Sequence, residues 1–360
     1  MKKLSEVRTE LDAIDRQMAA LYEKRLALTE EVVRCKLEEH LPVFVPEREK
    51  QVLERNAGYI KEERFRDKYL AFMQYVMDAG KEYQQSLMAR EIVGYAGVEG
   101  AFSHMAAEGL FPHNPKLNFS NFEDVFKAVA DRRIEYGVIP LENTNSGLVG
   151  EVVDYLHQYP VYINEVSDLT VEQCLLGVPG STMKDIEWVY SKDQALMQAK
   201  SFIKGLGAEP VPYPNTALAA QYVARLQDKS RGAIAARENA ELYGLEVLAP
   251  HIEENSENKT RFLVISLHDN SAGERFALSV SLSHQVGSLS RLLEALSENG
   301  LNMCSIQSRP RKGHPFEYMF FIELDNITDQ AQAETCLQTI APLCDGLKSL
   351  GLYSLRKEEE

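Results

Sequence analysis

From Leu4 to about Glu39 the chain has neither Pro nor Gly, and its apolar residues fall at heptad spacing. Leu4, Leu11, Met18 and Val32 form one column, and Val7, Ile14, Leu21, Leu28 and Cys35 form the other. The pattern predicts a single helix of roughly 50 Å, too long to bury its seam on itself, so partner helices are expected. Two further helices are predicted over 46–62 and 65–88, and a dimer of such three-helix units would cover the seam. Arg25 stands in the first column between Met18 and Val32, where a heptad wants a hydrocarbon. An unpaired charge is costly there, so Arg25 is expected to meet an anion. A structural salt bridge or a snorkelling arginine is the equally open alternative. Lys36 lies three helical turns on and projects from nearly the same face, with Arg8, Arg48, Glu49 and Gln84 as further polar candidates.

After Arg90 helical spacing gives way to short apolar runs at 91–97, 135–139, 161–166, 171–178, 187–190, 232–235 and 261–267, separated by helical stretches. These predict an α/β segment over 91–268, large enough for two lobes with a ligand cleft between them. Over 275–355 the order strand, helix, strand, strand, helix, strand predicts an α+β domain of the β-α-β-β-α-β kind.

A chain of 360 residues exceeds one hydrophobic core, in keeping with three modules. The net charge of -15 argues against a nucleic-acid partner. Five scattered cysteines without a CxxC pair predict free thiols, and neither an apolar leader nor a spanning run is present. A cytoplasmic protein away from the membrane is expected. Gly94, Gly97 and Gly100 are spaced G-x-x-G-x-x-G and not as a dinucleotide loop, so no cofactor is expected. The histidines do not cluster and no H-E-x-x-H or G-x-S-x-G occurs, which argues against a metal and a serine hydrolase. What remains is a set of polar residues at predicted strand ends: Ser103, Glu142 to Gly147, Tyr190-Ser191 and Asn258 to Phe262. Each alone reads as an ordinary turn or strand.

Residues 1–90 resemble the all-helical chorismate mutases through Arg8, Arg25, Lys36, Arg48-Glu49 and Gln84. The resemblance implies a domain-swapped homodimer in which Arg25 and the other subunit's Arg8 hold substrate carboxylates. Lys36 and Gln84 would donate to the ether oxygen, Glu49 would orient the hydroxyl and Arg48 would support a carboxylate. Donors placed for the developing charge favour the transition state over the ground state. Val45 and Gly80 stand where that family often has an acid and a Ser.

Residues 91–268 resemble prephenate dehydratases through Glu142-Asn143-Thr144, Val189-Tyr190-Ser191 with Gln194 and Gln198, Tyr243-Gly244-Leu245 and Thr260-Arg261-Phe262. The resemblance implies two lobes like a periplasmic binding protein. Thr260 would donate to the departing hydroxide. Ser103, Asn143, Ser191 and Gln198 would line the substrate, and Arg261 would meet a carboxylate. The family's Gly-Pro-x-Gly-Ser/Thr is Gly97-Val98-Glu99-Gly100-Ala101 here, which leaves arogenate as an alternative substrate.

The last module resembles an ACT domain through Gly287-Ser288-Leu289 and Gln307-Ser308-Arg309-Pro310. This implies phenylalanine as a feedback ligand at the first helix's N-terminus, where free amides suit a carboxylate. Together the modules resemble the bifunctional chorismate mutase/prephenate dehydratases. The rival readings are a monofunctional dehydratase with a helical dimerisation module, and a non-catalytic two-lobed binding protein.

Overall fold

The computed structural model describes residues 2–38, 46–89, 92–255, 257–311, 317–327 and 329–356. Two compact units divide at Glu91 and Ile92. The first holds three helices, α1 (Leu4–Glu38), α2 (Pro46–Ala57) and α3 (Glu63–Ala89). α3 packs against both others. Among the described residues, burial on α1 falls in its last third: Thr29 and Val33 are buried, and α1 packs on α3, which buries Val76 and Met77. Ahead of Arg25 both heptad columns lie open, with Leu4 66 % and Leu21 66 % exposed.

The second unit begins with a parallel arrangement. β1 (Val93–Ala96) leads through α4 (Phe102–Leu110) to β2 (Lys116–Phe119), and α5 (Phe122–Ala130) returns the chain to β3 (Tyr136–Asn143) on the other side of β1. Asn121 starts α5 by accepting from the Asp124 amide, and Val125, Phe126 and Val129 then bury its apolar face. A short β4 (Gly147–Leu148) turns back on β3, and α6 (Gly150–Gln158) precedes the long β5 (Tyr162–Thr170).

The chain then leaves for a second lobe made of β6 (Cys174–Gly177), β7 (Trp188–Ser191), α7 (Asp193–Gln198), α8 (Lys200–Leu206), β8 (Glu209–Pro212), α9 (Thr216–Leu226), β9 (Arg231–Ala235), α10 (Glu238–Tyr243) and β10 (Glu246–Ala249). The order in its sheet is β10-β6-β9-β7-β8. β11 (Lys259–Ser266) brings the chain back to the first lobe and inserts antiparallel between β3 and β5.

The C-terminal part is β12 (Arg275–Ser281), α11 (Ser288–Glu298), β13 (Asn302–Pro310), β14 (Tyr318–Asp325), α12 (Gln330–Ile340) and β15 (Gly346–Arg356). The β-α-β-β-α-β order read from the sequence is therefore present. It does not stand apart, however: Ser354, Leu355 and Arg356 of β15 pair in parallel with Glu165, Val166 and Ser167 of β5. The two regions expected to be separate thus share one ten-stranded sheet, β13-β14-β12-β15-β5-β11-β3-β1-β2 with β4 on β3. No helix among the described residues is long and apolar enough to cross a membrane.

Candidate active sites and ligand pocket

In the helical unit α3 collects the polar residues. The Arg25 guanidinium donates to the Val76 carbonyl at 3.3 Å. It fits because residue 80 is glycine: a Cβ there would lie 3.0 Å from Arg25 Nη1. Gly80, read as the loss of a hydroxyl, is thus also the space that Arg25 occupies. One turn on, Lys36 Nζ donates to Gln84 Oε1 at 3.0 Å. Burial lowers the pKa of that ammonium and makes it the stronger donor. Across α3, Glu49 pairs with Lys81 at 2.8 Å, and Lys81 also pairs with Asp78 at 2.7 Å. The sequence reading missed Lys81; its one local signal was Asp78 three residues earlier on the same helix. Arg48 is exposed on α2, and Val45 lies outside the described residues. Arg8 is exposed seventeen residues before Arg25, about 25 Å along a straight helix, so within one chain the two cannot share a ligand.

In the two-lobed part the sheet brings Asn143 at the end of β3 level with Thr260 on β11. The Asn143 amide nitrogen lies 3.0 Å from Thr260 Oγ1, 2.8 Å from Asn258 Oδ1 and 3.0 Å from the Lys259 carbonyl. Its oxygen accepts from the Asn145 and Ser146 amides at 3.0 and 3.1 Å. Asn258 in turn reaches Gln198 Oε1 at 3.3 Å in the second lobe. Thr260, Asn143 and Gln198, far apart in sequence, are thus joined by one hydrogen-bonded chain. Beside it lies a cavity of about 450 Å³ lined by Asn145, Ser146, Gln194, Met197, Gln198 and Glu254, among others. Ser103 is buried in the first turn of α4, whose N-cap Ala101 provides no side-chain cap.

Two residues expected to contact substrate are engaged within the protein. Arg261 follows Thr260 on the strand and so projects from the opposite face, where it pairs with Asp168 at 3.0 Å. That carboxylate holds the Arg261 pKa above its ordinary value. Ser191 is 0 % exposed and its hydroxyl donates to the Ile234 carbonyl at 2.6 Å, which ties β7 to β9 and engages the hydrogen a ligand would need.

In the C-terminal part Gly287 caps α11 at φ +83, a backbone setting that favours glycine. Ser288 and Leu289 line a cavity of about 340 Å³ at this helix start, together with Ser283, Gln285, Tyr318 and Phe320. The Ser288 hydroxyl meets Ser283 Oγ at 3.0 Å and accepts from Arg291 at 3.2 Å. Gln307, Ser308, Arg309 and Pro310 lie on β13, and none of them lines the cavity. Arg309 instead makes a two-pronged contact to Asp154 of α6, at 3.1 and 3.2 Å. The close fit depends on Gly150, where a Cβ would lie 2.3 Å from the guanidinium. At the other end of α6, Lys348 of β15 donates to the Leu156 and Tyr159 carbonyls. Burial lowers its pKa to about 8, so at neutral pH it caps the negative end of the helix as an ammonium. α6 follows β4, whose Gly147 pairs with Asn143 at the end of β3.

Arg25 and Lys36 held against α3 of a helical unit, a polar cleft between two α/β lobes and an appended domain with its own cavity define a multidomain enzyme acting on small polar molecules. Family models match in the same three places: chorismate mutase type II over residues 7–85, prephenate dehydratase over 93–270 and the ACT domain over 276–341. The chain belongs to the family of bifunctional chorismate mutase/prephenate dehydratases: the Neisseria gonorrhoeae protein so named is 30% identical over 358 residues, spanning 96% of this chain and 95% of its own. Among solved structures, the prephenate dehydratase of Staphylococcus aureus is 27% identical and superposes with a TM-score of 0.63 over 72% of this chain and 99% of its own. GqqA, described as a novel type of quorum quenching acylase, is 28% identical with a TM-score of 0.67 over 74% of this chain and 98% of its own.

Proposed function

We propose that the helical unit rearranges chorismate to prephenate, that the cleft converts prephenate to phenylpyruvate, and that phenylalanine restrains the pathway by binding at the start of α11. The observation that carries the dehydratase assignment is Thr260. Its oxygen accepts from the Asn143 amide, so its own hydrogen is left to donate. Hydroxide is a poor leaving group, and a fixed donor beside it lowers the barrier to its departure with carbon dioxide. Accepting a hydrogen bond makes the same oxygen a poorer nucleophile, which favours the donor role over a nucleophilic one of the kind an acylase, as GqqA is described, could use.

In the helical unit Arg25 would hold a carboxylate, and Lys36 with Gln84 would meet the ether oxygen as it gains charge. Glu49, held by Lys81, would orient the hydroxyl. The exposed seam of α1 supports a homodimer in which a second copy buries Leu4, Leu11 and Met18 and delivers its Arg8.

The test supplies chorismate to the whole protein and follows prephenate and phenylpyruvate, with and without phenylalanine. Sequential appearance of both products and suppression of the second by phenylalanine are expected. A mutase-inactive protein that still consumes prephenate would leave the monofunctional reading. In the same assay Arg309→Gln is expected to raise the phenylalanine needed for half-inhibition by about 5- to 150-fold, the span of ordinary coupling energies. It breaks the contact through which the sensing domain grips α6.

A further inference from the structure

We propose that Asn258 is a positioning residue of the dehydratase cleft, one that transmits a fixed amide orientation from Asn143 in one lobe to Gln198 in the other. The proposal rests on the assignment of prephenate dehydration to this cleft.

The orientation is set by backbone groups that can only donate. The Asn145 and Ser146 amides point at one end of the Asn143 side chain, so that end is the carbonyl oxygen and the other is the NH2. The NH2 lies 2.8 Å from Asn258, which must therefore turn its own oxygen towards it. That leaves the Asn258 NH2 facing Gln198 at 3.3 Å, where it requires the Gln198 oxygen. The Gln198 NH2 is then the end left for the cavity that Gln198 lines. Asn143, Asn258 and Gln198 each have two possible amide orientations. The two backbone amides select one for the entire chain, and with it they leave Thr260 as a donor.

Asn258 is 1 % exposed, so it acts through its neighbours and not on a ligand. Its carbonyl accepts from the Val171 amide at 2.8 Å. Asn258 and Val171 flank the two chain crossings between the lobes, so the same residue ties the crossings together and links groups from both sides. An aspartate would still accept from Asn143 but would present no donor to Gln198.

The experiment measures kcat/KM for prephenate in the full-length protein carrying Asn258→Asp, Gln198→Leu, or both. Asn258→Asp is expected to lose on the order of 10- to 100-fold, the effect of misplacing one buried polar partner. Because the loss acts through Gln198, the double variant is expected to be little worse than Gln198→Leu alone. Losses that multiply in the double variant, or an Asn258→Asp protein as active as wild type, would overturn the proposal. Circular dichroism and retained phenylalanine binding report that this unit is folded. If Asn258→Asp does not fold, Asn258→Ser carries the same cycle, since a hydroxyl is too short to span both neighbours. A wild-type protein inert towards prephenate would overturn the assignment of the cleft and Asn258's role with it. Multiplying losses in an active protein would overturn Asn258's role alone.

Discussion

Thr260→Ala is expected to lower dehydratase turnover by about 10²- to 10⁴-fold, the usual contribution of a positioned proton donor. Thr260→Ser is expected to restore most of it, because the serine hydroxyl can occupy the same place beside Asn143. The loss should fall on kcat more than on KM, since the hydrogen bond to the leaving oxygen strengthens only as the bond breaks. Removing one hydroxyl that is hydrogen-bonded to one amide costs about 1 kcal/mol of stability, so the fold should survive. Prephenate turnover measured beside chorismate consumption in the same preparation checks this. Equal loss of both reactions, or unchanged phenylpyruvate formation, would remove Thr260 from the chemistry.

Much of this arrangement was legible in the sequence, and the exceptions have physical causes. α1 runs unbroken from Leu4 to Glu38, the last residue described there, because nothing in its sequence breaks a helix. α2 stops at Ala57 and not at 62, because the Gly58 and Tyr59 amides close a turn back onto Arg55 and Asn56. The strands buried in the middle of their sheets, such as β3, β7, β9 and β11, announce themselves as apolar runs. The overlooked β2, β8 and β10 each lie at the edge of a sheet. There one side of the ladder faces solvent, and β8 accommodates Pro210 and Pro212, whereas the central β3 takes its Pro140 at a register shift against β11. Thr260, Asn143 and Gln198 were picked out by resemblance, but periodicity does not report that Asn258 joins them across 115 and 60 residues of chain. Arg309 illustrates the same limit. Its place in a motif suggested a ligand contact, while its actual partner, Asp154, lies 155 residues earlier on a helix of the other domain.

Arg25 is the residue whose meaning the structure alters most. Spacing left it between salt bridge and substrate clamp, and in the fold its partner is a backbone carbonyl, which neutralises no charge. A cation so placed, on nearly the same helix face as Lys36, still calls for an anion, and a substrate carboxylate satisfies it. Arg25→Ala is therefore expected to lower mutase kcat/KM by about 10²- to 10³-fold, as the loss of one preorganised charged donor does. Arg8→Ala should do the same, although Arg8 touches nothing near Arg25 in its own chain. Mixing the two inactive variants separates the dimer from every single-chain reading. In a mixed dimer one site combines an intact Arg25 from one subunit with an intact Arg8 from the other, while the second site carries both defects. Random re-pairing makes half the dimers mixed, and half of their sites are whole, so about a quarter of wild-type mutase activity should return. Dehydratase activity, housed in the separate second unit, should stay constant throughout. No recovery after unfolding and refolding the mixture would mean that each chain builds its mutase site alone. Arg8 would then have no part in it, and the open seam of α1 would need another occupant.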